Sequence, residues 1–271
     1  MKRTCVYAVL VGLGALCLMP LLWTLSIALK SSEEYAREPG RLIPRHPAWD
    51  NFAKAWTELP FGHFVVNTVL VAAISTAAQV VVSSLVAYGF ARFRFRGRGL
   101  TFGMMLATMM LPHHVTMIPV FLIWRALHGI DTYFPLVAPA FFGGAFNIFL
   151  LRQFMLGLPL ELDEAAMLDG AGYLRIWWRV LLPLCGPALA TVGVLSFLGQ
   201  WDNFEGPLIY LNTPEKYTVS LGLRMFQDSF GSEFGQLMAA SLVHIVPTVI
   251  IFFCAQRYFM RGLNFSGLGG R

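Results

Sequence analysis

The side chains with the most obvious chemistry are three histidines in apolar surroundings, His113, His114 and His244. A zinc site on a helix needs ligands three or four residues apart, with Cys or a carboxylate to complete the shell. Adjacent histidines point to different faces of a helix, and the apolar run around His113 and His114 contains no carboxylate. The pattern therefore disfavours a metal site and favours polar groups that line a pathway.

Motifs for nucleotide binding and hydrolysis are absent from the sequence. It contains no G-x-x-x-x-G-K-[S/T], no G-x-S-x-G and no H-E-x-x-H. We therefore expect that the chain is not an enzyme and has no cofactor of its own. If ATP drives its function, another polypeptide must bind the ATP and Mg. The four cysteines, Cys5, Cys17, Cys185 and Cys254, have no metal-ligand spacing and indicate buried small side chains.

Two carboxylates, Asp202 and Glu205, stand at the end of an apolar run within the stretch Gln200 to Pro207. One interpretation is an interfacial helix end anchored by Trp201. The other is a polar rim where cargo enters, formed by Trp201, Asp202, Asn203 and Glu205. The sequence leaves both open.

Charge and hydropathy predict an integral membrane protein made of helices. Of 271 residues, 56% are hydrophobic and only 13% are charged, about half the charged share of a soluble domain. Long uncharged runs alternate with short charged patches, and each run is long enough for a transmembrane helix. The six predicted spans are Cys5–Leu29, Phe64–Phe90, Leu100–Trp124, Thr132–Leu151, Leu184–Trp201 and Phe234–Gln256.

Proline and glycine punctuate these spans. Span three contains Pro112 and Pro119, which predict a kinked or broken helix. In span four, Gly143 and Gly144 allow close helix approach. Within the polar connector that follows span one, residues 49–56 predict a short amphipathic helix.

Basic residues predict the orientation of the spans. Placing both termini, the arginine-rich loop at 92–98 and the loop at 159–183 on one side gives that side 12 basic and 4 acidic residues. The other side then has 8 basic and 11 acidic residues. By the positive-inside rule, both termini and both loops are cytoplasmic. The net charge of +5 therefore indicates membrane topology rather than nucleic-acid binding.

The loop at 159–183 has the clearest helix pattern outside the spans. Pro159 suits a first helical turn, and Glu161, Asp163 and Glu164 place negative charge where the helix dipole favours it. Gly170 predicts the end of this helix in a positive-φ conformation. A second short helix is predicted to follow and to end at Pro183.

These residues resemble a family motif, the EAA loop of ABC-importer permeases. Glu164-Ala165-Ala166, then Gly170, then Val180 and Leu182-Pro183 reproduce its spacing, with Val180 where isoleucine is usual. The resemblance implies that this loop forms a coupling helix that docks on a cytoplasmic ATPase. It assigns this contact to six residues: Glu164, Ala165, Ala166, Asp169, Gly170 and Pro183.

The resemblance extends over nearly the whole chain. The six-span layout, the Asn51-Phe52 segment, the turn at 201–204 and the stretch at 256–263 are similar to carbohydrate-type importer permeases, including maltose-transporter-like and glycerol-phosphate-like inner-membrane subunits. Asp202-Asn203 departs from the family, which more often has Asn followed by Asp or Glu.

The resemblance implies a type I ABC-importer permease architecture in a bacterial inner membrane. Its implied partners are a second permease, two ATPase subunits, a periplasmic solute-binding protein and the lipid bilayer, with a sugar or polyol as cargo. The alternative is an ion-coupled secondary transporter, which the lack of carboxylates deep in the spans disfavours.

On this basis the sequence divides into three parts. Residues 1–62 form the first span and a periplasmic connector, residues 63–260 form a five-span core that includes the loop at 159–183, and residues 261–271 form a cytoplasmic tail. The polar connector from Asp202 to Glu233 is expected to meet the binding protein.

Overall fold

The structure is a computed structural model that describes residues 2–230 and 233–265, with side chains from 6–226 and 233–256. Within these residues the chain is helical and contains no strand. The α-helices are α1 (Lys2–Ala28), α2 (Ser32–Arg37), α3 (Asp50–Thr57), α4 (Phe61–Arg92), α5 (Arg98–Ala107), α6 (His113–Ala126), α7 (Phe134–Val137), α8 (Ala145–Leu156), α9 (Glu161–Leu168), α10 (Tyr173–Ile176), α11 (Leu182–Leu184), α12 (Gly186–Trp201), α13 (Glu205–Tyr210), α14 (Val219–Phe230) and α15 (Phe234–Phe265).

Four helical segments among the described residues are long and apolar enough to cross a membrane. They are Val6–Ala28, Phe61–Arg92, Phe134–Leu156 and Phe234–Gln256. Two bent pairs, Arg98–Met110 with His113–Ala126 and Tyr173–Leu184 with Gly186–Trp201, raise the number to six if each pair is one span. The predicted all-α membrane fold is therefore confirmed.

The third span is broken, as the prolines predict. Its two halves meet at an angle of 99°, and the chain between them turns at Leu111 into an extended conformation, with Pro112 preceding α6. Because proline lacks an N–H and restricts the residue before it, the helix cannot run straight through this point.

The fifth span corrects one prediction. Pro183 does not end the short helix: it lies inside α11, and a π-helical turn at Trp177–Leu181 joins α10 to α11. Proline is tolerated there because the first turn of α11 does not need its N–H. The bend comes two residues later, at Cys185, where the two helical segments meet at 84°.

The connectors between the spans contain several short helices. The amphipathic helix predicted at 49–56 is confirmed as α3. The predicted outer loop at 202–233 includes α13, a 3-10 turn at Pro214–Lys216 and α14. For the predicted tail at 261–271, the backbone is helical to Phe265, and residues 266–271 lie outside the described residues.

By internal contacts the chain forms two units. The first combines residues 1–65 with 217–248, and the second combines residues 66–216 with 249–271. Each unit therefore joins segments that are distant in the sequence.

The first unit has an aromatic core. Phe61 packs edge-on against Phe64 and Phe226, with ring centroids 6.4 and 6.3 Å apart. Small side chains, Ala28, Ala55, Ala239 and Ala240, allow the helices around these rings to approach closely. In the same unit, the side chains of α1 from Val6 to Leu22 are exposed, so in a membrane they face lipid or another subunit.

Two buried polar side chains fix the connector that follows α1. The Asn51 amide donates hydrogen bonds to the carbonyls of Ala28 and Lys30, both at 2.8 Å. The Lys30 ammonium donates to the carbonyls of Glu38, Pro39 and Arg41 at 3.2, 3.3 and 2.5 Å. The Asn51 contacts satisfy carbonyls at the end of α1, where a helix leaves such groups without intrahelical partners.

The second unit packs the C-terminal half of α4 against α8, α10 and α12. Tyr88, Leu151, Ile176 and Leu181 are among the buried side chains of this core. It lies directly beside α9, because Ala166 packs against it. The core therefore supports the stretch that resembles the EAA loop.

Candidate functional site

Helix α9 carries the predicted coupling residues on an acidic, exposed surface. Its first turn contains Glu161, Asp163 and Glu164, where negative charge stabilises a helix. Glu164 and Ala165 are exposed, whereas Ala166 is partly buried against the core. Leu168, near the end of the helix, is 90% exposed.

The end of α9 has the expected glycine geometry. Gly170 has a φ of +79°, which confirms the predicted positive-φ conformation. The N–H of Gly170 donates to the carbonyl of Met167, and the N–H of Ala171 donates to the carbonyl of Ala166, both at 2.9 Å. This pair of bonds is a Schellman motif, which closes the helix at a defined residue. Asp169 is the last residue before this turn.

Of the six predicted coupling residues, five therefore lie in α9 or its terminal turn. The sixth, Pro183, lies in α11, beyond the π-helical turn. Sequence reasoning missed a further contact at the start of α9: Arg92, the last residue of α4, forms an ion pair with Asp163, with Nε and Oδ2 2.9 Å apart.

The Arg92–Asp163 pair is buried, with side chains only 5% and 7% exposed. A second Arg92 nitrogen, Nη2, donates to the carbonyls of Leu158 and Pro159 at 3.2 and 3.4 Å. Burial raises the pKa of the Asp163 carboxyl, and the Arg92 charge opposes that shift. In the sequence, Arg92 is explained by the positive-inside rule, and Asp163 is explained by the helix dipole. Nothing in the spacing of the two residues indicates that they are in contact.

A cavity of about 570 Å³ lies beside this pair. Charged and aromatic side chains from α4, the loop after it, α9 and α10 line it, including Tyr88, Arg94, Glu164 and Tyr173. The same surface that exposes Glu164 thus also offers a recess.

A second cavity, of about 520 Å³, lies between the spans of the second unit. Its polar lining consists of amides and hydroxyls, and none of its lining residues is charged: Ser75, Gln79, Pro139, Ala140, Gly143, Phe146, Asn147, Leu195, Ser196, Gly199 and Gln200. Buried polar groups in spans are costly and mark functional positions.

Hydrogen bonds hold these amides in place. The Asn147 amide donates to the Ser196 hydroxyl at 3.3 Å. With its amide oriented to match its neighbours, Gln79 accepts from Asn147 at 3.1 Å and from the N–H of Gly144 at 2.9 Å, and donates to the Ala140 carbonyl at 2.9 Å. A side chain at Gly144 would collide with Gln79. The close approach predicted for Gly143-Gly144 thus serves this network.

One hydroxyl that lines this cavity makes no hydrogen bond within the described residues. Ser75 is 1% exposed, lines the cavity, and its Oγ has no hydrogen-bond partner among the described residues. An unpartnered buried polar atom costs about 1–3 kcal/mol. A bound hydroxyl-bearing ligand or a water would remove that cost.

The four residues predicted to admit cargo lie just beyond this cavity and do not line it. Trp201 is buried and stacks on Phe197, with centroids 5.7 Å apart. Asp202 is the C-cap of α12. Asn203 donates to Gln200 at 3.3 Å and accepts from the N–H of Gly206 at 3.1 Å. Glu205 lies 4.0 Å from His114.

The sequence-based predictions did not include the cavity residues, because they rested on histidines and carboxylates as the polar groups of the spans. Gln79 in span two and Asn147 in span four are amides within long apolar runs. Burying an amide in a span costs free energy, as burying a charge does, although the cost of the amide is smaller. That signal was present in the sequence.

Asp131 organises the other end of this unit. Its carboxylate accepts from the N–H groups of Asn212 and Thr213, both at 3.0 Å, and from the Thr213 hydroxyl at 2.6 Å. The Lys216 ammonium lies 2.7 Å from the same carboxylate. These partners hold the pKa of the Asp131 carboxyl well below its usual range. Residues 212–216, within the predicted connector from Asp202 to Glu233, are therefore tied to the connector between spans three and four.

Together these features define a class of protein: a multi-pass permease with broken spans, an uncharged polar cavity between them, and a short acidic helix exposed outside them. Comparison with known proteins agrees. Residues 79–264 match the family described as binding-protein-dependent transport system inner membrane component. The chain belongs to this family.

Two curated relatives and one solved structure illustrate the similarity. The arabinooligosaccharides transport system permease protein AraQ of Halalkalibacterium halodurans is 33% identical, covering 94% of this chain and 92% of its own. The sn-glycerol-3-phosphate transport system permease protein UgpE of Yersinia pestis is 33% identical, covering 92% and 91%. A bacterial ABC transporter that imports the acidic polysaccharide alginate has a TM-score of 0.83 at 27% identity, covering 95% of this chain and 96% of the matched chain.

These findings confirm the predicted type I importer architecture and the predicted function. The chain is a permease subunit of a binding-protein-dependent ABC importer, a transport subunit that lies in the inner membrane as a multi-pass protein. The alternative of an ion-coupled secondary transporter is therefore not supported.

Proposed function

We propose that this chain is one of two permease subunits in an importer whose two ATPase subunits bind ATP and Mg, and to which a periplasmic solute-binding protein delivers cargo. The absence of a P-loop motif from its sequence and the exposed acidic surface of α9 support this division of labour.

We further propose that the termini and α9 face the cytoplasm and that the Asp131 cluster faces the periplasm. Asn67, near the start of α4, donates to the Glu215 carbonyl at 2.8 Å, and Arg92 at its end contacts Asp163. At 1.5 Å per residue, 25 residues of helix separate these contacts by about 37 Å. That distance exceeds the roughly 30 Å hydrocarbon layer, so the two clusters suit opposite membrane faces.

In this arrangement, closure of the ATPase pair on ATP moves the docked α9. The motion passes to the spans packed against α9 and changes which side of the membrane the central cavity opens to. Coupling through a docked helix needs a partner contact at Glu164 and a rigid support behind it, and the core beside Ala166 supplies the support.

For the cargo, we propose a neutral carbohydrate that passes through the uncharged cavity. The observation that carries this proposal is the cavity lining. The Ser75 hydroxyl, which has no hydrogen-bond partner in the part of the chain that the structure describes, lines the cavity together with the amides of Gln79, Asn147 and Gln200 and the aromatic ring of Phe146. Sugar hydroxyls both donate and accept, and amides and hydroxyls match them. Among the relatives, AraQ is named for a neutral sugar, whereas alginate and glycerol phosphate are acidic; the uncharged lining favours the neutral class.

A matched pair of serines tests this proposal. Ser75 and Ser84 are both buried on α4, but Ser84 donates to the Val81 carbonyl at 2.8 Å and does not line the cavity. In proteoliposomes with the full complex and its binding protein, S75A should raise the KM for uptake of neutral oligosaccharides about fivefold, the size of one hydrogen bond of roughly 1 kcal/mol. S84A should leave the KM unchanged.

Asn147→Ala should raise the KM more than S75A does, because it removes a hydrogen-bond donor from the cavity and also removes the contact that holds the Gln79 amide. Charged oligouronides supplied in parallel should be poor cargo. Equal KM values for S75A, S84A and the unaltered protein, or preferred uptake of the uronides, would contradict the proposed cargo site.

A further inference from the structure

Arg92 contacts both sides of the corner at which α8 gives way to α9. Its Nη2 donates to the carbonyls of Leu158 and Pro159, which belong to the turn between the helices. Its Nε lies 2.9 Å from Asp163, in the first turn of α9. One guanidinium thus reaches the turn through hydrogen bonds from Nη2 and the helix through an ion pair at Nε. A single point charge could not hold both with the same geometry.

A second arginine ties the same elements from the other direction. Arg152 of α8 donates from Nε to the Phe90 carbonyl of α4 at 3.2 Å. Its guanidinium also lies 4.2 Å from the centre of the Phe102 ring. The ends of α4 and α8 are therefore joined by two crossing contacts, and α9 is joined to both through Arg92.

Burial makes this connection stiff. Both members of the Arg92–Asp163 pair are more than nine-tenths buried, so water cannot readily replace either one. Breaking such a pair leaves an uncompensated charge, which is strongly unfavourable. By contrast, the far end of α9 is held by the backbone bonds of its glycine turn.

We infer that Arg92 is a positioning residue that makes α9 move as one body with the end of α4, so that force from the ATPase reaches span two directly. This inference rests on the proposed coupling role of α9. It predicts that loss of Arg92 uncouples hydrolysis from transport while the spans remain folded.

The first test measures uptake per ATP hydrolysed in the assembled complex with its binding protein. R92A should lower this ratio at least fivefold, with membrane levels near normal. R92K keeps the charge without the planar fork, and D163N removes the ion pair but keeps the carbonyl contacts, so both should give intermediate losses. The matched control is R96A, because Arg96 is exposed in the same arginine-rich loop.

If R92A assembles poorly, R92K and D163N decide the matter. A wild-type ratio of uptake to ATP hydrolysed in both would overturn the inference. A fall in ratio that R96A shows equally would overturn it as well, because the effect would then belong to loop charge and not to Arg92.

The second test measures motion. Spin labels at R96C and L168C, in a chain without its native cysteines, report the distance between the loop that directly follows α4 and the end of α9. With Arg92 present, that distance should be the same without nucleotide and with a non-hydrolysable ATP analogue. In R92A it should shift or broaden when the analogue is added. A nucleotide-dependent distance in the chain that retains Arg92 would overturn the inference.

The variant E164K distinguishes a failure of the proposed docking of α9 from a failure of the inference about Arg92. If E164K transports normally, the proposed docking of α9 fails, and the inference fails with it. If E164K uncouples transport but R92A and D163N do not, the docking proposal stands and only the role of Arg92 is wrong.

Discussion

At the scale of single residues, the function of the coupling stretch depends on a backbone conformation as much as on a charge. Gly170 adopts φ +79°, where a Cβ costs roughly 1–2 kcal/mol. Gly172, two residues later, has an ordinary φ of −78°. Neither glycine has a neighbour within 4 Å of where a Cβ would lie, so the two sites differ in backbone strain alone.

This pair gives a prediction. Gly170→Ala should lower cargo uptake severalfold at normal membrane levels, because strain loosens the turn that ends α9, and Gly170→Pro should abolish uptake. Gly172→Ala should behave as the unaltered protein. Uptake measured in cells, normalised to membrane-protein level, checks this; equal uptake by the two alanine variants would refute it.

Charge at the same helix gives a second prediction. Glu164 is exposed in the first turn of α9. Reversing its charge in E164K opposes the helix dipole and the expected partner surface together. We expect membrane insertion to persist and the binding of the ATPase subunits to fall, measured by co-purification. Full co-purification with normal uptake would be inconsistent with docking at this residue.

At the scale of elements, Asp131 joins two connectors that lie more than 80 residues apart in the sequence. Asp131 itself has φ +59°, a conformation that Asp and Asn tolerate better than most residues. Asp131→Asn therefore keeps the backbone while removing the charge that Lys216 contacts. It isolates the electrostatic part of this cluster.

The pH dependence of this cluster follows from the sign of the shift. Because the pKa of Asp131 is lowered in the folded protein, its stabilisation is complete above the ordinary pKa of about 4 and is lost as the pH falls below it. At pH 7, D131N should lower the melting temperature by a few degrees, and the difference should persist to pH 5. Glu58→Gln, at an exposed carboxylate, is the control. A difference that vanished between pH 7 and pH 5 would contradict this assignment.

At the scale of the whole molecule, the orientation proposed above places Arg96 and Glu215 on opposite membrane faces. Both residues are exposed. In a chain without native cysteines, E215C should react with an impermeant thiol reagent in the periplasm of cells with a permeabilised outer membrane. R96C should react only after the inner membrane is opened. Labelling of R96C in intact spheroplasts would reverse the proposed topology.

The sequence by itself determined the features that depend on local composition. Apolar length located the spans, the prolines at 112 and 119 predicted the broken third span, and Gly170 predicted the end of α9. These inferences succeed because hydropathy, proline sterics and positive-φ glycines act within a few residues of the chain. Local sequence features misplaced one boundary: they predicted that the short helix ends at Pro183, whereas the bend lies two residues later, at Cys185.

The tertiary structure decided which polar groups meet. Arg92 contacts Leu158 across 66 residues, and Asp131 contacts Thr213 across 82, while Gln79, Asn147 and Gln200 come from three different spans to line one cavity. No periodic pattern records such pairs, because their proximity follows from how helices pack and bend. In the sequence, a buried arginine cannot be told from an exposed arginine that only marks the cytoplasmic side. Only the packing of α4 against α9 distinguishes Arg92 from Arg96.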